Sequence, residues 1–332
     1  MLRPILTLAL GACLAWTATP QADAATITVG TSRDPNNGAQ VLIAEQKGFF
    51  KDEGLDVSVK YFPSGGDLMT AFVGGSVDFG SAGTIPVVTL RARPFPLKVI
   101  AQMSDISGAQ QLIVKQNVKS LDELKGKKIG VMLGTASEAF YKSIIKSYGL
   151  DASGMTVINM APTDMTTAFV RGDVEAIVLW EPAAAKARSL GKGKILLSGT
   201  TDFRGAAPAP KRVYGDHALL FANEKTLQKE PDEAVAVVKA LRKASDFIQN
   251  NRKEAVAILA KVYELEPQDI EAILDMNRYS LELDDRLVQD LDTLSAFLVD
   301  SKRIPAGSDP RKMIDSSVLK KVAPELATCA GC

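Results

Sequence analysis

The sequence predicts an α/β protein of two similar lobes, each a parallel sheet with helices on its faces. Three observations lead there. Apolar runs with strand character alternate with amphipathic helical segments through roughly the first two thirds of the chain. One segment recurs: Asp67-Leu68-Met69-Thr70-Ala71-Phe72-Val73 lines up with Asp164-Met165-Thr166-Thr167-Ala168-Phe169-Val170, and Gly54-Leu55-Asp56 precedes the first as Gly149-Leu150-Asp151 precedes the second. The interval is too long for a solenoid repeat. Finally, 332 residues are ample for two hydrophobic cores.

The elements follow in order. Residues 26–30 alternate and form the first strand, and residues 31–37 are a polar loop containing Pro35. Gly38-Ala39 leads into a helix that Gly54 closes off, and residues 55–61 are the second strand. Ser64 starts a helix whose Leu68, Met69, Phe72 and Val73 point inward. Residues 77–80 are the third strand, and Ser81-Ala82-Gly83-Thr84 turns into a helix at Ile85-Pro86. Residues 97–102 are the fourth strand. A polar break at residues 104–110 holds the crossing between lobes, near Ser107-Gly108.

The second lobe opens with a strand at residues 112–115 and a short helix at 121–124 capped by Ser120. Its centre is a strand at residues 127–132, the turn Gly134-Thr135-Ala136-Ser137, and a helix with Ala136, Phe140, Ile144, Ile145 and Tyr148 at helical spacing. Strands at residues 156–160 and 176–180 flank a helix at 163–171. A further strand at 194–197 precedes a Gly/Ala/Pro-rich linker at 200–210. Residues 217–223 are a strand returned to the first lobe, and the chain beyond Glu224 is almost all helix. The lobes are thus expected at residues 26–107 with 215–332, and at 108–214.

The N-terminus carries Arg3, an apolar run over residues 5–18 and the small-residue site Ala22-Asp23-Ala24-Ala25. This pattern is a secretory signal peptide of residues 1–25. The run is shorter than the about 20 residues of a membrane span. Leu10-Gly11-Ala12-Cys13 also fits a lipoprotein box, but the apolar run continues past Cys13 and an Ala-x-Ala site follows, so a soluble periplasmic chain is expected over a lipid-anchored one. Cys329 and Cys332 then remain, and a short disulfide is expected of an exported protein.

Lys+Arg and Asp+Glu both number 39, so no basic excess points to nucleic acid. The sequence contains no Gly-x-Ser-x-Gly elbow, and its single His, His217, has no evident partner. No His/Cys/Asp/Glu cluster has metal spacing. No cofactor, and no enzymatic activity, is expected.

Residues 44–57 (Ala44-Glu45-Gln46-Lys47-Gly48-Phe49-Phe50-Lys51-Asp52-Glu53-Gly54-Leu55-Asp56-Val57) resemble the opening segment of exported solute-binding proteins of ABC importers. The branch is the one for sulfonates, taurine, nitrate and thiamine pyrimidine precursors. Ser120-Leu121-Asp122-Glu123-Leu124-Lys125-Gly126-Lys127-Lys128-Ile129-Gly130-Val131 and Trp180-Glu181-Pro182 match as well. The resemblance spans residues 26–223 and weakens beyond. It implies a two-lobed periplasmic-binding-protein fold of type II, with two crossings and a helical C-terminal part. It further implies a monomer that closes on a small-molecule solute and delivers it to an inner-membrane permease. Relatives that make the thiamine pyrimidine carry a dense cysteine cluster, which this sequence lacks.

Ligands in such sheets bind beyond the carboxyl ends of strands, and helix starts there bind anions. The expected site is therefore Ser81, Ala82, Gly83 and Thr84 in one lobe and Thr135, Ala136 and Ser137 in the other, with Ser107 and Gly108 at the crossing. Arg33 is expected to pair with an anion and Trp180 to pack on the ligand. Glu181 and Asp164, along with Asp34 and Asp105, are candidate acceptors for an ammonium group. The expected solute is an aliphatic sulfonate or taurine. Nitrate, an aromatic carboxylate or a thiamine pyrimidine precursor is the alternative, as is a periplasmic sensor presenting its ligand to a receptor.

Overall fold

The structure, a computed structural model, describes residues 26–307 and 309–332, so the expected signal peptide and Cys13 lie outside the described residues. Strand β1 (Ile27–Ser32) is followed by α1 (Pro35–Gln46), the short α2 (Phe49–Asp52), β2 (Val57–Phe62), α3 (Gly65–Val73), β3 (Phe79–Gly83), α4 (Thr84–Arg91) and β4 (Leu97–Asp105). A single 3-10 turn at Ser107–Ala109 leads to β5 (Gln110–Lys115) in a second sheet. That sheet adds β6 (Lys128–Val131), α5 (Ala136–Tyr148), β7 (Thr156–Asn159), α6 (Pro162–Arg171), β8 (Ala176–Trp180), α7 (Ala183–Gly191), β9 (Gly193–Ser198), β10 (Thr201–Asp202) and β11 (Ala209–Pro210). The chain then returns as β12 (His217–Asn223) and continues through α8 (Glu224–Lys229), α9 (Pro231–Asn250), α10 (Arg252–Tyr263), α11 (Pro267–Met276), β13 (Arg278–Tyr279), α12 (Asp285–Asp300) and α13 (Ser317–Val322).

The first sheet runs β13-β4-β12-β3-β1-β2 and the second β11-β10-β9-β5-β8-β6-β7. Both share one core order, in which β1 lies between β2 and β3 and β6 lies between β7 and β8. The recurring segments occupy equivalent places, α3 leading into β3 and α6 leading into β8. Neither sheet is purely parallel as expected. The returning β12 is antiparallel to both β3 and β4, and β5 is antiparallel to β8 and β9. In each sheet an antiparallel strand at a crossing lets the chain pass between lobes without a helical crossover.

Several boundaries differ from expectation for local reasons. Helix α1 begins three residues early, because Asp34 caps it (its side chain accepts from the N–H of Asn37) and Pro35 sits where a missing N–H costs nothing. Ser81, Ala82 and Gly83 belong to β3 rather than to a turn. The expected helix at 121–124 is one 3-10 turn, and the expected linker holds β10 and β11. Helix α7 went unread because its Ala-rich start carries little amphipathic signal.

The core of the first lobe packs Phe79, Phe221 and Phe72, with Phe72 edge-on to Phe221 at 4.9 Å between ring centroids. Gly80 is required beneath that ring, since a Cβ there would lie 2.2 Å from Phe221 Cζ. Helix α1 packs against α9, α10 and α11, while α4 packs against α3 and α12. The second lobe is cored by Phe140 below α5 and Phe169 below α6. Leu294 and Phe297 of α12 join the cluster around Phe140, so the C-terminal helices hold both lobes. A disulfide joins Cys329 and Cys332, and the N–H of Cys329 donates to Leu283 O at 2.9 Å.

Candidate functional site

Four helix starts are each met by a carboxylate of the chain. Asp34 accepts the N–H of Asn37 at 3.0 Å at the start of α1. Glu181 accepts the N–H of Ala185 at 2.8 Å in α7, and Glu138 accepts the N–H of Gly134 at 2.7 Å just before α5. The carboxylate of Asp216, from the returning crossing, lies beside Thr84 at the start of α4, where Thr84 works against the burial that raises it. Carboxylates at these positions satisfy orphan donors and the positive helix end.

This corrects the first-lobe half of the expected anion site. Ser81 and Ala82 are buried strand residues, and Ser81 Oγ donates to Asn37 O at 2.6 Å. Thr84 Oγ1 donates to His217 O and accepts the N–H of His217, both at 3.0 Å. The Thr84 hydroxyl is thus taken up by His217. Gly83 stays half-buried, and Asn37 Oδ1 lies 3.9 Å from where its Cβ would be. That oxygen is buried and without a hydrogen-bond partner. Burial pushes the Asp34 carboxyl up, against the bonds from Asn37. The first lobe thus presents acceptors, Asp34 and Asn37 Oδ1, where donors were expected.

The second-lobe half is different. Thr135 Oγ1 donates to Met132 O at 2.8 Å and caps the N–H of Ser137 at 3.2 Å. Ser137 is buried, its hydroxyl donating to Val178 O at 2.7 Å and accepting from Met132 N at 3.0 Å. Both hydroxyls serve the turn rather than a solute. The N–H groups of Thr135 and Ala136 have no partner among the described residues. Two contributors were missed by sequence reasoning. Asn159 Oδ1 fixes the turn through the N–H of Leu133 at 3.0 Å. Arg303 lies over Gly134, where a Cβ would sit 2.2 Å from its Nη1, and is 3.5 Å from Glu138. Nothing in the local pattern could have tied Arg303 to a turn so far away in sequence.

The remaining expected residues divide. Trp180 ends β8 half-buried against the second-lobe core. Asp164 is exposed in the first turn of α6. Arg33 turns away to the first lobe's own surface, pairing with Glu264 at 3.2 Å. Glu181 is 1% exposed, and Arg188 Nη1 at 2.7 Å, Gln111 Nε2 at 2.8 Å and the N–H of Ala185 fill its oxygens. It is a structural ion pair and not an acceptor for a solute.

Ser107, Gly108 and Asp105 lie at the first crossing between the sheets, buried or nearly so. Asp105 accepts the N–H and hydroxyl of Ser107 at 3.1 and 2.5 Å, and Arg212 Nη1 at 2.9 Å. Arg212 Nη2 reaches Asp290 at 2.5 Å, and His217 Nε2 meets the same oxygen at 2.9 Å, so the single His does have a partner. Burial works to raise both Asp105 and Asp290, but Arg212, His217 and the local bonds hold them below the usual carboxylate range. Asp216, which accepts from Gln110 Nε2 at 3.2 Å, is raised by burial to about 6.

The Asp216 shift has a testable sign. A carboxyl whose folded pKa lies above its unfolded 3.8 contributes stability at low pH that is lost as pH rises through about 6. Two units correspond to about 3 kcal/mol. The stability of the wild type minus that of D216N is therefore expected to fall by roughly that amount between pH 4 and 7. Parallel denaturation curves over this range would remove the assignment.

Among the described residues no group of three or more His, Cys, Asp and Glu side chains is placed to hold a metal ion. The two sheets and the two crossings define a two-lobed periplasmic-binding-protein fold. The periplasmic aliphatic sulphonate binding protein SsuA from Escherichia coli superposes with a TM-score of 0.75 at 21% identity, over 87% of this chain and 92% of that one. The alkanesulfonate-binding protein from Xanthomonas axonopodis pv. citri, solved bound to MOPS, gives 0.70 at 19% identity, over 89% and 99%. The taurine-binding periplasmic protein of Escherichia coli (strain K12) is 24% identical over 86% of this chain and 90% of its own length. Residues 36–255 match the NMT1/THI5 like family, and the chain belongs to it.

Proposed function

We propose that the chain is the periplasmic solute-binding component of an ABC importer, capturing a small sulfonate, with taurine the best fit, between its lobes and handing it to a membrane permease. The observation that carries this reading is the start of α5. Two unpaired N–H groups, those of Thr135 and Ala136, lie beside the Arg303 guanidinium at the positive end of a helix. Sulfonate oxygens suit such donors. The facing lobe offers Asp34 and Asn37 Oδ1, acceptors suited to an ammonium group. An aminosulfonate satisfies both sides at once and ties lobe closure to binding. The names of the sulfonate- and taurine-binding relatives support the same class. They also support a periplasmic location and a role in binding rather than catalysis.

Thermal-shift measurements on the mature protein against taurine, alkanesulfonates, nitrate, aromatic carboxylates and pyrimidines test the reading. A ligand at a hundred times its Kd adds about 2.7 kcal/mol of stability. Taurine is expected to raise the melting temperature most. Ala136→Pro removes one N–H at a position where helices tolerate proline. Loss of a hydrogen bond to a charged group predicts about tenfold weaker sulfonate binding or more, with little change in stability. A shift by neutral pyrimidines alone would discard the sulfonate assignment.

A further inference from the structure

A chain of side-chain hydrogen bonds joins the C-terminal part of the first lobe to the second lobe. Asn36, 3% exposed at the start of α1, donates from Nδ2 to Glu181 O at 2.8 Å. Glu181 follows Trp180 and precedes Pro182, so this contact grips the turn where β8 passes into α7. Asn36 is itself held in place. Its Oδ1 accepts from Asn277 Nδ2 at 2.8 Å, and Ser104 Oγ donates to its carbonyl at 2.7 Å. Asn277 Nδ2 also reaches Tyr279 Oη at 3.1 Å, and that hydroxyl donates to Pro35 O at 3.1 Å. With its Oδ1 bonded to Asn277, the Asn36 amide has one orientation, and its donor faces Glu181.

The same short segment closes on the first crossing. A Cβ on Gly108 would lie 2.2 Å from Met276 O, so the 3-10 turn between the sheets lies directly under the end of α11. Gln111 Nε2 also approaches Met276 Sδ at 3.2 Å. Residues 276–279 therefore touch the first crossing through Met276 and the second lobe through Asn277 and Asn36.

We propose that Asn277 is a positioning residue for the cleft: by orienting Asn36 toward Glu181 O, it sets the angle at which the lobes meet and so the population of binding-competent protein. The hydrogen bonds are buried, the one from Asn36 to Glu181 O crosses from lobe to lobe, and opening the cleft at this side must break it. A closed state so favoured lowers the conformational cost of binding, since apparent affinity scales with the competent fraction. The last step rests on the solute-binding reading above. The effect on lobe geometry does not.

The test separates the two. Spin labels at Val73→Cys and Val170→Cys, exposed positions in α3 and α6, report the interlobe distance in the protein without added solute. Asn277→Asp is close to isosteric but an ionised Asp cannot donate to Asn36 Oδ1, and Asn277→Ala removes the side chain. Both are expected to move the distance distribution to longer values, and Asn36→Ala to do the same. Asn36→Ala with Asn277→Ala is expected to match either single change, because both act through one bond. An unchanged distribution in the folded variants, or a double variant that opens by the sum of the singles, would overturn the proposal. A tenfold loss of closed population predicts about tenfold weaker taurine binding. If taurine fails to bind the wild type, the solute reading fails and the distance measurement still decides the latch.

Discussion

Replacing Arg212 by Ala is expected to cost about 3–5 kcal/mol of stability at pH 7, the range for removing one partner of a buried ion pair. Its guanidinium joins Asp105 on the first crossing, Ser107 Oγ at 3.0 Å and Asp290 on α12. Without it, Asp105 keeps Ser107 and Asp290 keeps His217 as bonded partners among the described residues, in a largely buried crossing. The sign of the pH dependence follows. In the wild type both carboxyls lie below 3.8, so their contribution is present above that value and is lost on acidification. In R212A burial is left less opposed and both rise, so the variant gains on acidification. The gap between wild type and R212A is expected to narrow from pH 7 to pH 4. Chemical denaturation at the two values checks this, and a gap independent of pH would show that lost packing, not charge, is the cause.

Arg188→Ala is expected to be of similar size, about 3–5 kcal/mol. Arg188 supplies the only cation bonded to Glu181 among the described residues, and Glu181 is 1% exposed. The guanidinium also bonds Gln111 Oε1, so its loss disturbs β5 as well as the start of α7. Because the cost arises from a stranded charge, Glu181→Gln combined with Arg188→Met is expected to recover most of it. Urea denaturation of the three proteins reads this directly. R188A within about 1 kcal/mol of wild type, as for an exposed pair, would contradict the burial argument.

Both residues show how far the sequence could be read. Glu181 was legible as a residue beside a strand end, and it directly follows β8. Its role was not legible, because Gln111 and Arg188 lie on other elements and only the packed sheet brings them to it. The first-lobe helix start failed for the same reason. Ser81 to Thr84 carries the composition of an anion-binding turn, but His217, more than a hundred residues later, arrives with the returning strand and takes up the hydroxyl of Thr84. The second-lobe turn is more local. The Thr135 hydroxyl bonds Met132 O and the N–H of Ser137, within a few residues, which is the range over which sequence spacing determines geometry, whereas the Ser137 hydroxyl reaches Val178 O on β8.

What the sequence by itself determined is the alternation of strands and helices, the internal repeat that became two sheets of one core order, the strand at His217–Asn223 and the location of α5. These depend on periodicity and caps, which are local. Only the tertiary structure decided which polar groups remain available to a solute. A donor or acceptor is free only if no distant residue reaches it, and Asp216, Arg303, Arg188 and Asn277 come from parts of the chain whose approach depends on how both lobes and the C-terminal helices pack.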